Sequence, residues 1–280
     1  MKRHSPIKRP KTATKLVVAA LAAAIVLLLM LNLLQTQLLF PTHAVPLAGP
    51  MPPNAERMEV RASNGDRLQG IYLRPRIDSD DATLILGFGG NAWNGQHVAM
   101  ELHRLFPAAH VVAFHYRGYP PSTGTPSAKA LIEDAPHVYD AAVRLIGPKQ
   151  VVAVGFSIGS AIAAHLSEDR ALDGVILVTP FDSLKLAASD LFPWLPVGAF
   201  FAHEMDTAGA LAGSDIPVAI IAAGNDEIIA AKRTDTLRKM VPNLVYDRTV
   251  AGAGHNDIYG RSEFDGGMHE ALAIIGAVRK

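Results

Sequence analysis

Five short runs of unbroken apolar sequence set the architecture: Thr83–Gly87, Val111–Phe114, Val151–Gly155, Val175–Val178 and Val218–Ala222. Each is too short for a helix and does not alternate with polar residues, so each must be covered on both faces, as parallel strands are. Helix-like stretches lie between and after them, near His97–Leu105, Ala128–Ile146, Ile158–Leu166 and Ala231–Met240, with a terminal one near Met268–Val278. Upstream, Met58–Ala62 and Leu68–Leu73 flank Asn64-Gly65, a strong hairpin signal; downstream, Val245–Val250 supplies a last strand. A hairpin followed by repeated βα units predicts a doubly wound, mostly parallel α/β sheet with an antiparallel edge. Ligands of such sheets bind beyond the carboxyl ends of the strands, so the chemistry should lie just after each apolar run.

The N-terminus is a different kind of sequence. Leu16–Leu34 is apolar except for Asn32, long enough at about 1.5 Å per residue to cross a hydrocarbon core of about 30 Å. Six basic residues (Lys2, Arg3, Lys8, Arg9, Lys11, Lys15) precede it, and the first charge after it is Glu56. The positive-inside rule then keeps the N-terminus cytoplasmic and the body across the membrane, periplasmic in a Gram-negative bacterium. The rival is a cleaved signal peptide and a secreted body. Signal h-regions are shorter, about 7–15 residues, and the Ala-x-Ala candidates at His43-Ala44 and Leu47-Ala48 are weak. Five prolines between Gln35 and Asn54 suggest an extended tether. The expected domains are a basic tail (1–15), a transmembrane helix (16–34), a Pro-rich tether (35–55) and one catalytic domain (56–280). Of the 26 basic residues, 20 remain after the tail against 26 acidic ones, an acidic body with no footprint for nucleic acid. With no cysteine in the chain, thiolate nucleophiles, disulfides and cysteine metal sites are excluded.

After the Val151–Gly155 run comes Gly155-Phe156-Ser157-Ile158-Gly159, then a helix rich in small residues. Gly-x-Ser-x-Gly alone is weak, but between a buried strand and a helix it is the context of a nucleophile elbow. Serine needs a base and a third group to orient that base. His255 follows the last strand in Ala-Gly-Ala-Gly-His-Asn-Asp, a loop free to deliver an imidazole; His110, His115 and His203 are distant rivals. Asp226 ends the Val218–Ala222 strand and its loop, with Asp182 the minor rival and adjacent Glu227 expected to point elsewhere. For the oxyanion, the candidates are the Ile158 N–H and a donor at Asn91 in the glycine-rich loop Gly87-Phe88-Gly89-Gly90-Asn91.

These residues resemble the α/β-hydrolase superfamily. Within it, the chain is similar to membrane-anchored serine hydrolases whose first loop reads His-Gly-Asn-Ala-Gly-Asn, a branch that includes eukaryotic depalmitoylating enzymes. Four further segments carry the resemblance: Tyr116-Arg117-Gly118-Tyr119 with Ser122, Gly124 and Pro126; Pro180-Phe181-Asp182-Ser183-Leu184; Phe192-Pro193-Trp194-Leu195-Pro196; and Asp226-Glu227-Ile228-Ile229. It spans about Glu56 to Gly260 and implies an α/β-hydrolase fold with a short cap segment. Two positions depart from the pattern. Gly89 replaces the loop histidine and His115 replaces an aspartate, so the bracing of the oxyanion loop is in question.

The resulting expectation is acyl transfer to water, by a Ser157–His255–Asp226 triad, from a small-molecule ester or thioester. Leu191, Phe192, Trp194, Phe200 and Phe201 form either an apolar substrate wall or plain core. No charged residue occurs between Leu191 and Ala202 to pair with a peptide terminus. Neither a cofactor nor a metal is implied, for no His-Glu-x-x-His or similar spacing occurs. Two other readings stand beside this one: a serine peptidase on the same fold, since related chains include aminopeptidases, and a catalytically silent, membrane-tethered binding module. The sequence carries no sign of oligomeric state.

Overall fold

The computed structural model describes residues 11–77, 82–193, 198 and 201–278. Eight strands form one sheet: β1 (Ala55–Arg61), β2 (Arg67–Leu73), β3 (Thr83–Phe88), β4 (His110–Phe114), β5 (Gln150–Phe156), β6 (Gly174–Val178), β7 (Val218–Ala223) and β8 (Leu244–Val250). Their order is β1-β2-β4-β3-β5-β6-β7-β8. β1 and β2 pair antiparallel around the Asn64-Gly65 turn, β2 runs antiparallel to β4, and every later pairing is parallel. This is the expected doubly wound sheet with an antiparallel edge.

Continuous apolar strands work here because both faces are covered. On β5, Val151 and Ala153 join the core on one face while Val152, Val154 and Phe156 join the core on the other. The first face is covered by α3 (Ala128–Ile146) and α4 (Ile158–Asp169), and further along by α6 (Thr207–Leu211) and α7 (Ala231–Met240). The second is covered by α2 (Gly95–Leu105) and α8 (Ser262–Val278). A further helix, α5 (Leu184–Leu191), follows β6 over the carboxyl end of the sheet. It starts at Ser183, whose hydroxyl accepts the Leu186 N–H at 3.2 Å, and it stops short of Pro193.

The N-terminal helix, α1, runs Lys11–Leu39, about 44 Å at 1.5 Å per residue. Its apolar side chains from Leu16 to Met30 stand exposed, apart from the partly covered Leu28. The expected tether at 35–55 needs correction, because α1 continues to Leu39 and the chain after it is docked on the body. Phe40 is 1% exposed and Val45 is buried. Asn94 Nδ2 donates to the Pro46 carbonyl at 3.0 Å, and Gln96 Nε2 to the carbonyls of Gly49 and Pro50 at 3.2 and 3.1 Å. Prolines favour an extended path, but an extended chain still carries carbonyls and side chains that bind a matching surface.

Candidate active site

β5 ends at Phe156 and α4 begins at Ile158, so a single residue, Ser157, makes the turn. Its φ of 51° and ψ of −116° lie outside the common regions for a side-chain-bearing residue. The strain is held by neighbours: the Ser157 N–H donates to the Val178 carbonyl at 2.8 Å, and Ser160 Oγ to the Gly155 carbonyl at 3.0 Å. A Cβ at Gly155 would strike the backbone of Gly159 and Ser160, and one at Gly159 the carbonyls of Phe88 and Gly89. The two glycines let strand, helix and the β3 loop close on the serine. Ala92 (φ 59°) and Thr179 (φ 46°) are the other described non-glycine residues at positive φ, and both follow neighbouring strands. Strain of this kind concentrates where function fixes a backbone.

The structure brings together the three residues singled out in the sequence. His255, 4% exposed, has Nε2 at 3.0 Å from Ser157 Oγ and Nδ1 at 2.8 Å from Asp226 Oδ2. Asp226 Oδ1 accepts the N–H groups of Ile228 and Ile229 at 2.9 and 2.7 Å, so the carboxylate is locked before the imidazole reaches it. With Nδ1–H donating to the carboxylate, Nε2 is left as the acceptor facing the serine hydroxyl.

The rival residues are occupied elsewhere. Asp182 pairs with Arg233 at 3.1 Å and accepts the Ser183 N–H. His110 bonds the Tyr72 hydroxyl, His203 the Thr36 hydroxyl, and His115 Nδ1 accepts the Gly95 N–H at 3.3 Å. Burial pushes the His115 pKa down to about 4, which keeps the ring neutral and able to accept.

Several supporting residues escaped sequence reasoning. Glu227, expected to point elsewhere, turns toward the histidine loop, where its Oε2 accepts the His255 N–H at 3.0 Å. Tyr116 donates its hydroxyl to the Gly89 carbonyl at 2.7 Å, and Tyr119, 1% exposed, bonds the Ala92 backbone. The two tyrosines brace the loop after β3, the one expected to carry the oxyanion donor, where position 89 is glycine. Both lie in the Tyr116-Arg117-Gly118-Tyr119 segment, and that was their only signal. Asn91 is exposed at the loop tip, and Gly90 packs beside Ser157 Cβ. Ile158 is the first residue of α4, so helix geometry leaves its N–H without an intrahelical acceptor.

A cavity of about 250 Å³ opens over Ser157 and His255. Leu191 and Phe192 line it, together with Phe181, Leu184, Trp93 and Tyr259. Phe201 instead packs partly buried on the core, while Trp194 and Phe200 lie outside the described residues. Among the described residues, the lining carries no lysine, arginine, aspartate or glutamate, and its one histidine is His255. Among the described residues no cluster of histidine and acidic side chains could hold a metal.

A family model for the alpha/beta hydrolase fold matches residues 84–214. An uncharacterized protein of Mycobacterium tuberculosis is 28% identical over 257 residues, 90% of each chain. Lysophosphatidylserine lipase ABHD12 of Gallus gallus is 30% identical over 234 residues, which are 73% of this chain and 61% of the lipase; the chain thus spans less than two thirds of that relative's length. Among solved structures, an alpha-beta hydrolase from Vibrio vulnificus superposes with a TM-score of 0.67 at 18% identity, covering 89% of this chain and 93% of that one. The chain has the α/β-hydrolase fold, and the matches support its place in the α/β-hydrolase superfamily.

Proposed function

We propose that the protein is a serine hydrolase that cleaves a carboxylic ester or thioester of a small acyl compound. The observation that carries this is the unbroken line of contacts Ser157 Oγ to His255 Nε2 at 3.0 Å and His255 Nδ1 to Asp226 Oδ2 at 2.8 Å, at the floor of an apolar cavity. Ser157 Oγ attacks the acyl carbonyl carbon while its proton passes to His255 Nε2. The carbonyl oxygen, now anionic, is met by the Ile158 N–H and a donor at Asn91. His255 returns the proton to the departing alcohol or thiol as the carbon–heteroatom bond breaks. Water then repeats the sequence on the acyl-enzyme and releases the acid. Asp226 orients the imidazole throughout and is not itself protonated.

The lining supports an acyl substrate over a peptide. Among the described residues, no lysine, arginine, aspartate or glutamate lines the cavity to pair with a terminal ammonium or carboxylate. The lipase relative at 30% identity agrees with that preference. α1 is long and apolar enough to span a bilayer, and we read it as an uncleaved anchor with the body on the side opposite the basic tail.

The test is a fluorophosphonate probe on the full-length protein, with the adduct mapped by mass spectrometry. Phosphonylation of Ser157, lost in Ser157→Ala and slowed in His255→Ala, is the expected result. Folded protein that leaves Ser157 unlabelled would overturn the serine mechanism and favour the silent binding module.

A further inference from the structure

The last turn of α1 does not stop at the surface of the body. Gln35 Oε1 accepts the Ala202 N–H at 2.9 Å, the Thr36 hydroxyl pairs with His203 Nε2 at 2.8 Å, and the Phe40 ring meets His203 edge-on at 5.3 Å. The chain from Gln35 to Phe40, less than two helical turns, is thus fastened to the body at Ala202 and His203. Between these fastenings, Leu38 and Leu39 line the same cavity as Ser157 and His255. Leu39 leans on the core, whereas Leu38 is 63% exposed at the rim.

Across the mouth, Leu191 and Phe192 of the α5 end are 45% and 36% exposed and line the same cavity. In water such a rim would be an unfavourable apolar patch. It costs nothing if the mouth rests against hydrocarbon. Leu38 is four residues beyond Leu34, the end of the apolar run, which is about 6 Å along the helix. That distance sets the mouth near the boundary between acyl chains and headgroups. A cavity of about 250 Å³ is below the range of about 300–1,000 Å³ typical of drug-sized ligands, which favours a slender chain over a bulky group.

We infer that the last turn of α1 is a wall of the acyl pocket, and that the single acyl chain of a bilayer-resident ester enters from the membrane along α1 between Leu38 and the Leu191–Phe192 edge. The inference rests on the reading of Ser157 as nucleophile and α1 as a membrane span. The membrane helix is then part of the specificity apparatus: Leu38 and Leu39 select for the chain, and the carbonyl stops where Ser157 Oγ and His255 meet it. Among the described residues no lysine or arginine lines the pocket, so recognition falls on the acyl portion and not on an anionic headgroup.

The experiment uses the full-length protein in phosphatidylcholine nanodiscs and two alkyl fluorophosphonates with a diazirine at the chain end, one short and one of about twelve carbons. After phosphonylation the sample is irradiated and the cross-linked peptides are mapped. The expected result is cross-linking of the long probe to the peptide containing Leu38 and Leu39 and to residues nearer Leu34, and of the short probe to Phe181 or Leu184. Labelled Ser157 with long-probe cross-links confined to other walls overturns this inference and leaves the hydrolase reading intact. Failure to label Ser157 at all overturns both. As a second readout, Leu38→Trp is expected to lower the kcat/KM ratio of dodecanoyl to acetyl esters about tenfold. An unchanged ratio in protein that still takes up the short probe counts against the wall.

Discussion

From Gln150 to Leu166 every residue is buried except Ser157 and His165, whereas across the cavity Leu38, Leu191 and Phe192 are apolar and substantially exposed. The first region carries Ser157, the proposed nucleophile, and the second lines the mouth proposed to take the acyl portion of a substrate. They differ because they are held by different forces. The elbow is fixed by strand hydrogen bonds, by glycines in backbone contact and by side chains with no room to move, so Ser157 keeps a strained conformation. The mouth is fixed by a few polar links between helices and loops, and its apolar side chains are free to be exchanged. On the proposed reading, reaction chemistry falls where the backbone is over-determined, and substrate choice where side chains alone decide.

Four changes separate the two regions, beginning with the largest expected effect. At the elbow, Ser157→Ala or His255→Ala should each lower kcat on a short ester by on the order of 10⁶, and Asp226→Ala by about 10⁴, as in serine protease series. The Ser157/His255 double variant should be no worse than either single one, because the two act as a unit; multiplying losses would contradict the triad. Next, Gly159→Ala forces a Cβ into the carbonyls of Phe88 and Gly89 and should destabilise the fold by about 4 kcal/mol or more in thermal unfolding. The matching change at the mouth, Leu191→Ala, removes a half-exposed side chain and should cost less than about 1 kcal/mol. Equal losses would erase the contrast between the regions.

The segment between anchor and body tests where the mouth ends. Phe40→Ala empties a fully buried site and should cost about 3–4 kcal/mol, measured by unfolding in detergent. A neutral outcome would return 40–50 to the status of a loose tether. The last change concerns His115, which accepts the N–H of Gly95 at the start of α2. Burial first, and the neighbouring His97 second, hold the His115 pKa near 4, against about 6.5 in the unfolded chain. The unfolded chain therefore takes up a proton first as pH falls. The contribution is fully present above about pH 6.5 and fades toward pH 4, by up to about 3 kcal/mol. His115→Asn keeps an acceptor for the Gly95 N–H and should flatten that part of the stability–pH curve.

The parallel strands were legible because an unbroken apolar run leaves one economical solution, a strand covered on both faces. α3 and α7 were legible to their end residues, since Ser127 and Gly147 bracket the first and Pro242 follows close on the second. α5 and α6 were missed. Each is short, and its pattern of small and polar residues has no period of its own; each exists because the end of the sheet needs a cover. Phe201 was ambiguous for a related reason, since an aromatic in a loop reads the same whether it faces core or cavity.

For the site, the sequence by itself determined what is local. Gly155 and Gly159 around Ser157 prescribe a tight strand–helix turn, and the loops carrying Asp226 and His255 each follow a strand, so all three fall at one edge of the sheet. Only the tertiary structure decided the contacts made at long range. Tyr116 reaches Gly89, Glu227 reaches the backbone of His255, and Leu38 reaches a cavity whose nucleophile is far along the chain. A local pattern fixes backbone geometry through sterics over a few residues. A contact between distant segments depends on how the sheet orders its strands and how the helices pack, which no short window of sequence encodes.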